Sequence, residues 1–141
     1  MKTYRFLFLL FVSLAFAGCG KSGPPTPQEQ AATDAALSWL ALVDKGSYAE
    51  SWEETATVFK KAVTRDQWVN TLKAGHNPAG QVESRTVLKR EYMTSLPNTP
   101  KGEYVVIQFK THFANKKNAV ETVTPMMDSD GRWRVSGYYV K

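Results

Sequence analysis

The apolar residues of this chain change period once, and that change limits the fold more than any single motif does. Before Gly75 they recur at helical spacing, as Ala32, Ala36, Trp39, Leu40 and Val43; after "HNPAG" they alternate, as Val105, Ile107 and Phe109. A repeat of about 3.6 residues buries one face of a helix, and a repeat of about two buries one face of a strand. Helices that all precede the strands imply an α+β fold, with the helices laid on one face of an antiparallel sheet.

Three helices are expected in the first half. Thr26 can cap the first, with Pro27 at its opening position and Glu29 completing a capping box; Gly46 ends it. Ser47 with Glu50 predicts a second box, opening a helix through "SYAESWEETATVFKK" that buries Tyr48, Trp52, Ala56 and Phe59. Thr64 with Gln67 predicts a third, in front of a helix carrying Trp68, Val69 and Leu72 and ending at Gly75.

Four strands follow. "QVESRTVLKREYMT" is rich in strand-forming residues but alternates poorly, which predicts a long strand with a bend or bulge. "EYVVIQFKTHFA" puts Val105, Ile107, Phe109 and Phe113 inward and Gln108, Lys110 and His112 outward. "NKKN" turns into "AVETVTPMM", and "DSDG" turns into "RWRVSGYYVK". The expected product is a curved four-stranded antiparallel meander under three N-terminal helices.

Ahead of this domain, residues 1–18 have the parts of an export signal: Lys2 and Arg5, then the apolar "FLFLLFV", then small residues. The run is shorter than the roughly 20 residues a membrane span needs. Ala17-Gly18-Cys19 resembles the lipobox of bacterial lipoproteins, with Phe16 where an aliphatic residue is usual. That resemblance implies cleavage before Cys19 and acylation of its sulfur, which anchors the chain to a lipid bilayer. Cys19 is the single cysteine of 141 residues, so no disulfide framework supports the fold. Residues 19–27 then read as the lipidated cysteine and a linker stiffened by Pro24-Pro25, and residues 28–141 as one α+β domain. Gly20 stands where an aspartate would signal inner-membrane retention in enteric bacteria. The expected location is therefore the cell envelope, at the outer membrane and facing the periplasm.

The net charge of +5 is spread over pairs such as Lys60-Lys61, Lys89-Arg90 and Lys116-Lys117, the pattern of a solvated surface. Export excludes nucleic acid as a partner.

"SWLALVDKGSYAESW", "LPNTPKGEYVVIQFKTHF" and "GRWRVSGYYV" resemble the domain of unknown function 4019 family, an uncharacterised bacterial group. Trp52, Pro97, Gly102, Trp133 and Gly137 fall in its order and spacing. The resemblance implies a cystatin-like or nuclear-transport-factor-like cone, a curved sheet wrapped around helices. It brings no activity with it.

Motifs for chemistry are sparse. His76 and His112 stand apart, on an expected loop and an expected polar strand face, and read as solvated residues; no metal is expected. No nucleophile elbow or phosphate-cradling loop occurs, no cofactor is implied, and Asp128 and Asp130 read as turn residues. The aromatic residues suggest instead an open end of the cone lined by Trp52, Tyr92 and Trp133, with Arg85 at its mouth, taking an apolar or amphipathic ligand. The expected function is a non-catalytic binding module, tethered to the membrane, for such a ligand or for an envelope protein. The alternative is a small periplasmic enzyme, which needs an acid or base inside the cone. The patterned inner face offers Thr111; Glu91, Glu121 or His112 would qualify if strand bends turned them inward.

Overall fold

The computed structural model describes residues 23–141, so the apolar leader and Cys19 lie outside the described residues. Helix α1 spans Pro27–Asp44 and opens on the expected capping box. The Glu29 N–H donates to Thr26 Oγ1 at 3.2 Å, and the Thr26 N–H donates to Glu29 Oε2 at 2.8 Å. Its buried stripe is Ala32, Thr33, Ala36, Trp39, Leu40 and Val43. Gly46 follows at φ +79°, a left-handed conformation that costs glycine nothing. No described helix is long and apolar enough to cross a membrane.

The second expected helix is two short ones, α2 (Tyr48–Glu53) and α3 (Thr57–Ala62), so the described chain has four helices where three were expected. Thr55 and Ala56 between them are buried, and they run beside a strand: Thr55 bridges Val135 in parallel, and the Ala56 N–H donates to the Val135 carbonyl at 2.8 Å. A sheet edge offering an unpaired carbonyl outcompetes helix continuation through β-branched threonines, which are poor helix formers. Ser47, expected to cap, makes no side-chain cap bond, and its backbone is not in the extended conformation a cap needs.

Helix α4 (Arg65–Gly75) has the expected box: the Thr64 N–H donates to Gln67 Oε1 at 2.9 Å and the Gln67 N–H to Thr64 Oγ1 at 3.3 Å. Thr64→Ala is expected to lower stability by about 1 kcal/mol. A loss within the error of a denaturant titration would mean the box is not formed in solution. A 3-10 turn, Asn77–Ala79, leads into the sheet.

The strands are β1 (Val82–Met93), β2 (Tyr104–Phe113), β3 (Ala119–Met127) and β4 (Trp133–Val140), paired antiparallel in the order β1-β2-β3-β4. The irregular first strand contains the expected break in alternation, with register shifts between Val82 and Ser84 and between Val87 and Lys89. A further shift falls between Thr124 and Pro125, where proline cannot donate to the ladder. Both expected turns are present, helped by left-handed residues at Asn118 (φ +40°) and Gly131 (φ +79°).

Val105, Ile107, Phe109 and Phe113 are fully buried, and α1 lies against all four strands on that face. Trp39, Trp68 and Tyr138 close the layer, with Trp39 5.9 Å from Trp68 and 5.3 Å from Tyr138 between ring centroids. The indole N–H groups of Trp39 and Trp68 donate to the Ser51 carbonyl and to Ser51 Oγ, at 2.8 and 2.9 Å. The fold is α+β, helices before strands.

Candidate functional site

Alternation along β3 sends Ala119, Glu121 and Val123 toward the helices, so a carboxylate enters a face otherwise built of aliphatic and aromatic side chains. Glu121 pairs with Phe109 across the ladder and is wholly buried. A charge in such a place must find partners or neutralise. Glu121 finds three donors, each from a different strand. Arg85 Nε on β1 and Thr111 Oγ1 on β2 donate to its Oε1 at 2.7 and 2.5 Å, and the Tyr138 hydroxyl on β4 donates to Oε2 at 2.6 Å.

Arg85 carries the network to the helices. Its two terminal nitrogens clasp Asp44, the last residue of α1, at 2.7 and 2.9 Å. The planar fork of a guanidinium suits this bidentate grip, and its Nε–H serves Glu121. Burial works to raise the Asp44 carboxyl, but hydrogen bonds from Arg85 and His76 and their charges prevail, holding it below its ordinary value. Burial likewise opposes the Arg85 charge; bonds to Asp44 and Glu121 overcome it and raise the guanidinium above its usual range. The Tyr138 phenol is pushed well up, by burial first and then by the negative Glu121 beside it, which keeps it a donor.

Two carboxylates against one guanidinium leave one negative charge over. His76 stands beside it, with Nε2 3.7 Å from Asp44 Oδ1. Contrary to the expected solvated loop position, His76 is only 8% exposed. It is held edge-on between the Tyr48 and Phe113 rings, 6.0 and 5.6 Å away. The Tyr48 hydroxyl donates to Asn77 Oδ1 in a short bond and lies 3.4 Å from His76 Nδ1. A surface cleft of about 270 Å³ opens over this corner, lined among others by Asp44, Lys45, Tyr48, His76, Asn77 and Gln81.

The four residues expected to form a pocket each make contacts of their own. Arg85 is buried in the network, its side chain 11% exposed. The Trp52 indole donates to the Val63 carbonyl at 2.8 Å, with Lys60 Nζ 5.7 Å from its ring centroid. Tyr92 is exposed and donates to Glu103 at 2.9 Å; that bond first, with slight burial, raises its phenol pKa. Trp133 packs half-buried against the core. Of the three acid–base candidates, Glu121 turned inward. Glu91 is half-buried and pairs with Lys89 at 3.0 Å, and His112 is half-buried.

Asp128 and Asp130 act as turn residues. Asp128 accepts the Thr57 N–H and hydroxyl, each at 3.0 Å. Arg134 grips Asp130 at 2.7 and 2.8 Å, which brings that carboxyl down to about 2.

A family model, "Protein of unknown function (DUF4019)", matches residues 35–138, a span that holds every member of the network from Asp44 to Tyr138. The chain belongs to the DUF4019 family. The match bears out the resemblance of its tryptophan- and glycine-containing segments. No curated protein and no solved structure matches the chain. What this DUF4019 domain contains is therefore read from its own side chains. It holds an interior acid with three donors, and at the corner of that network a cleft where His76 Nε2 faces Asp44 Oδ1 at 3.7 Å.

Sequence pattern pointed to part of this. Glu121 at an inward position of an alternating strand was a usable signal. Asp44, Tyr48, His76 and Tyr138 carried none, because α1, α2, the 3-10 turn and β4 meet only in the folded chain.

Proposed function

We propose that this protein is a lipid-anchored module of the bacterial envelope, facing the periplasm from the outer membrane, that binds a ligand or partner and performs no catalysis. The observation that carries the non-catalytic reading is the state of Glu121. An enzyme with its site inside the sheet needs an acid or base free to exchange a proton with substrate. Glu121 is the acid in that position, and Arg85, Thr111 and Tyr138 all donate to it. The anchor rests on Ala17-Gly18-Cys19 after the apolar run. With two or more acyl chains the attachment is firm, at about 0.8 kcal/mol per buried methylene.

Cells grown with an alkyne fatty acid are expected to label the wild-type chain and not Cys19→Ala, with the variant released in soluble form. Equal label in both, or wild type in the soluble periplasmic fraction, would remove the anchor from the proposal.

A further inference from the structure

The large apolar groups this domain leaves uncovered are gathered mostly along one edge. Among the described residues four large hydrophobic side chains are exposed, Leu37, Leu88, Tyr92 and Tyr139, and the first three belong to α1 and β1. Two hydrogen-bonded contacts show that these two elements share a seam. Arg90 Nε donates to Thr33 Oγ1 at 3.0 Å, and Arg85 clasps Asp44, so β1 runs along the flank of α1 that carries Thr33 and Asp44. Leu37 stands one turn after Thr33 on that flank, beside the buried stripe, and is 43% exposed. Leu88 lies between Arg85 and Arg90, at the bulge after Val87 on the first strand of the sheet, and is 54% exposed. Tyr92 follows two residues beyond Arg90, toward the start of α1. The exposed flank beside Leu37 carries Gln30, Asp34 and Ala41, and the charge among them, Asp34, accepts from the Gln30 amide at 2.8 Å.

We propose that this α1–β1 edge rests on the phospholipid bilayer to which Cys19 anchors the chain, with Leu37, Leu88 and Tyr92 at the boundary between headgroups and acyl chains. This orientation rests on the anchored reading and adds a contact face to it. Chain length is what ties the edge to the membrane. Cys19 stands eight positions before Pro27, a stretch that spans at most about 28 Å. Leu37 lies about 15 Å along α1 from Pro27, at roughly 1.5 Å per residue. A bilayer that touches the edge is therefore within reach of the acylated sulfur. Three partly exposed side chains are too few to hold a free protein on lipid. Acyl chains already confine the domain there, at an effective concentration of about the millimolar range, so a weak contact stays occupied. A tyrosine suits the headgroup level, since its ring is apolar and its hydroxyl is not. Arg90 meets no carboxylate among the described residues, which leaves guanidinium N–H groups for a lipid phosphate. A partner strand fits β1 less well, because the two bulges interrupt the ladder it would extend.

The test uses the acylated chain purified from cells and placed in vesicles of phosphatidylethanolamine with a minority of phosphatidylglycerol. Acylation occupies the Cys19 sulfur, so a nitroxide attaches only to an introduced thiol. Leu37→Cys and Leu88→Cys report on the edge, and Tyr139→Cys and Lys116→Cys serve as references. All four positions are exposed, and an unchanged denaturant midpoint shows that each variant folds. Collisions of each label with oxygen, which concentrates in lipid, are compared with those of a water-soluble nickel chelate. The edge labels are expected to show loss of nickel access and gain of oxygen access relative to the two references. Leu37→Glu added to the Leu88→Cys chain should return that label to aqueous values while the protein still floats with the vesicles. Aqueous values at all four labels on floating vesicles would overturn the edge contact and leave the anchor standing. Protein that fails to float would remove the anchor and the contact together. Lipid contact at Tyr139 in place of Leu88, or spin–spin broadening between Leu88 labels that survives dilution into excess lipid, would also overturn it. The first would give the membrane another face, and the second would put a second copy of the chain on this edge.

Discussion

Arg85→Met is expected to lower folding stability by about 3–5 kcal/mol, the usual cost of leaving a buried charge without its partner. The change removes one guanidinium but strands two carboxylates, Asp44 and the wholly buried Glu121. Methionine replaces much of the volume, so packing accounts for little of the loss. Lost charge compensation makes the cost depend on pH, with a definite sign. Asp44 is held below its ordinary value in the folded wild type, so its contribution is present above the ordinary carboxylate range and fades as pH falls through the folded value. Burial is already the largest single influence on Asp44, and without Arg85 to oppose it the protonated form is favoured, so acid relieves the variant. The gap between wild type and variant should therefore narrow from pH 7 toward pH 4 in urea titrations. Adding Glu121→Leu to Arg85→Met should recover part of the loss, since one of the stranded charges is then gone. A gap independent of pH, with no recovery in the double variant, would show that Arg85 acts through packing alone.

Trp68→Ala carries the second large expected effect, again about 3–5 kcal/mol. Trp68 is 5% exposed and meets Trp39, Phe59 edge-on at 5.3 Å, and Tyr138. Truncation empties the junction of α4, α1 and β4 and takes away the donor that reaches Ser51 Oγ. Trp52→Ala should cost less, because that ring is only half-buried and lies beside Lys60 at the surface. Denaturant midpoints of the two variants separate them; equal losses would contradict this ranking of the tryptophans.

The fold was legible in the sequence wherever a local rule governs. Thr26–Glu29 and Thr64–Gln67 sit beside the backbone groups they cap, and Val105 to Phe109 alternate because a strand does. Ser47 looked equally good, and failed because the chain leaving Gly46 does not enter α2 in a capping conformation. The break at Thr55–Ala56 depends on Val135, a partner far along the chain that no window around residue 55 contains. The site was less legible for the same reason. Aromatic content suggested a pocket of Trp52, Tyr92 and Trp133; in the folded chain Trp52 donates to the Val63 carbonyl, Tyr92 to Glu103, and Trp133 packs against the core. Arg85 was singled out for its charge, and its role came from two acids that only the folded chain brings to it. His76 looked like a loop residue because nothing near it in sequence announces Tyr48, Phe113 or Asp44.

The span of the Glu121 network also bears on how the chain reaches its native state. Asp44 is made early and Arg85 arrives 41 residues later, while Tyr138 waits until the last few residues. Until β4 docks, an inward Glu121 lacks one of its donors, and until β1 docks it lacks its counter-charge. A one-residue slip of β3 would send Glu121 to the opposite face, with Thr111, Arg85 and Tyr138 left facing Val120 or Thr122 in place of a carboxylate. Half-assembled and misregistered sheets therefore hold an unmet charge that the correct sheet does not. Apolar side chains forgive approximate placement, whereas this carboxylate admits one arrangement of four strands. Its position penalises near misses that greasy packing alone would accept.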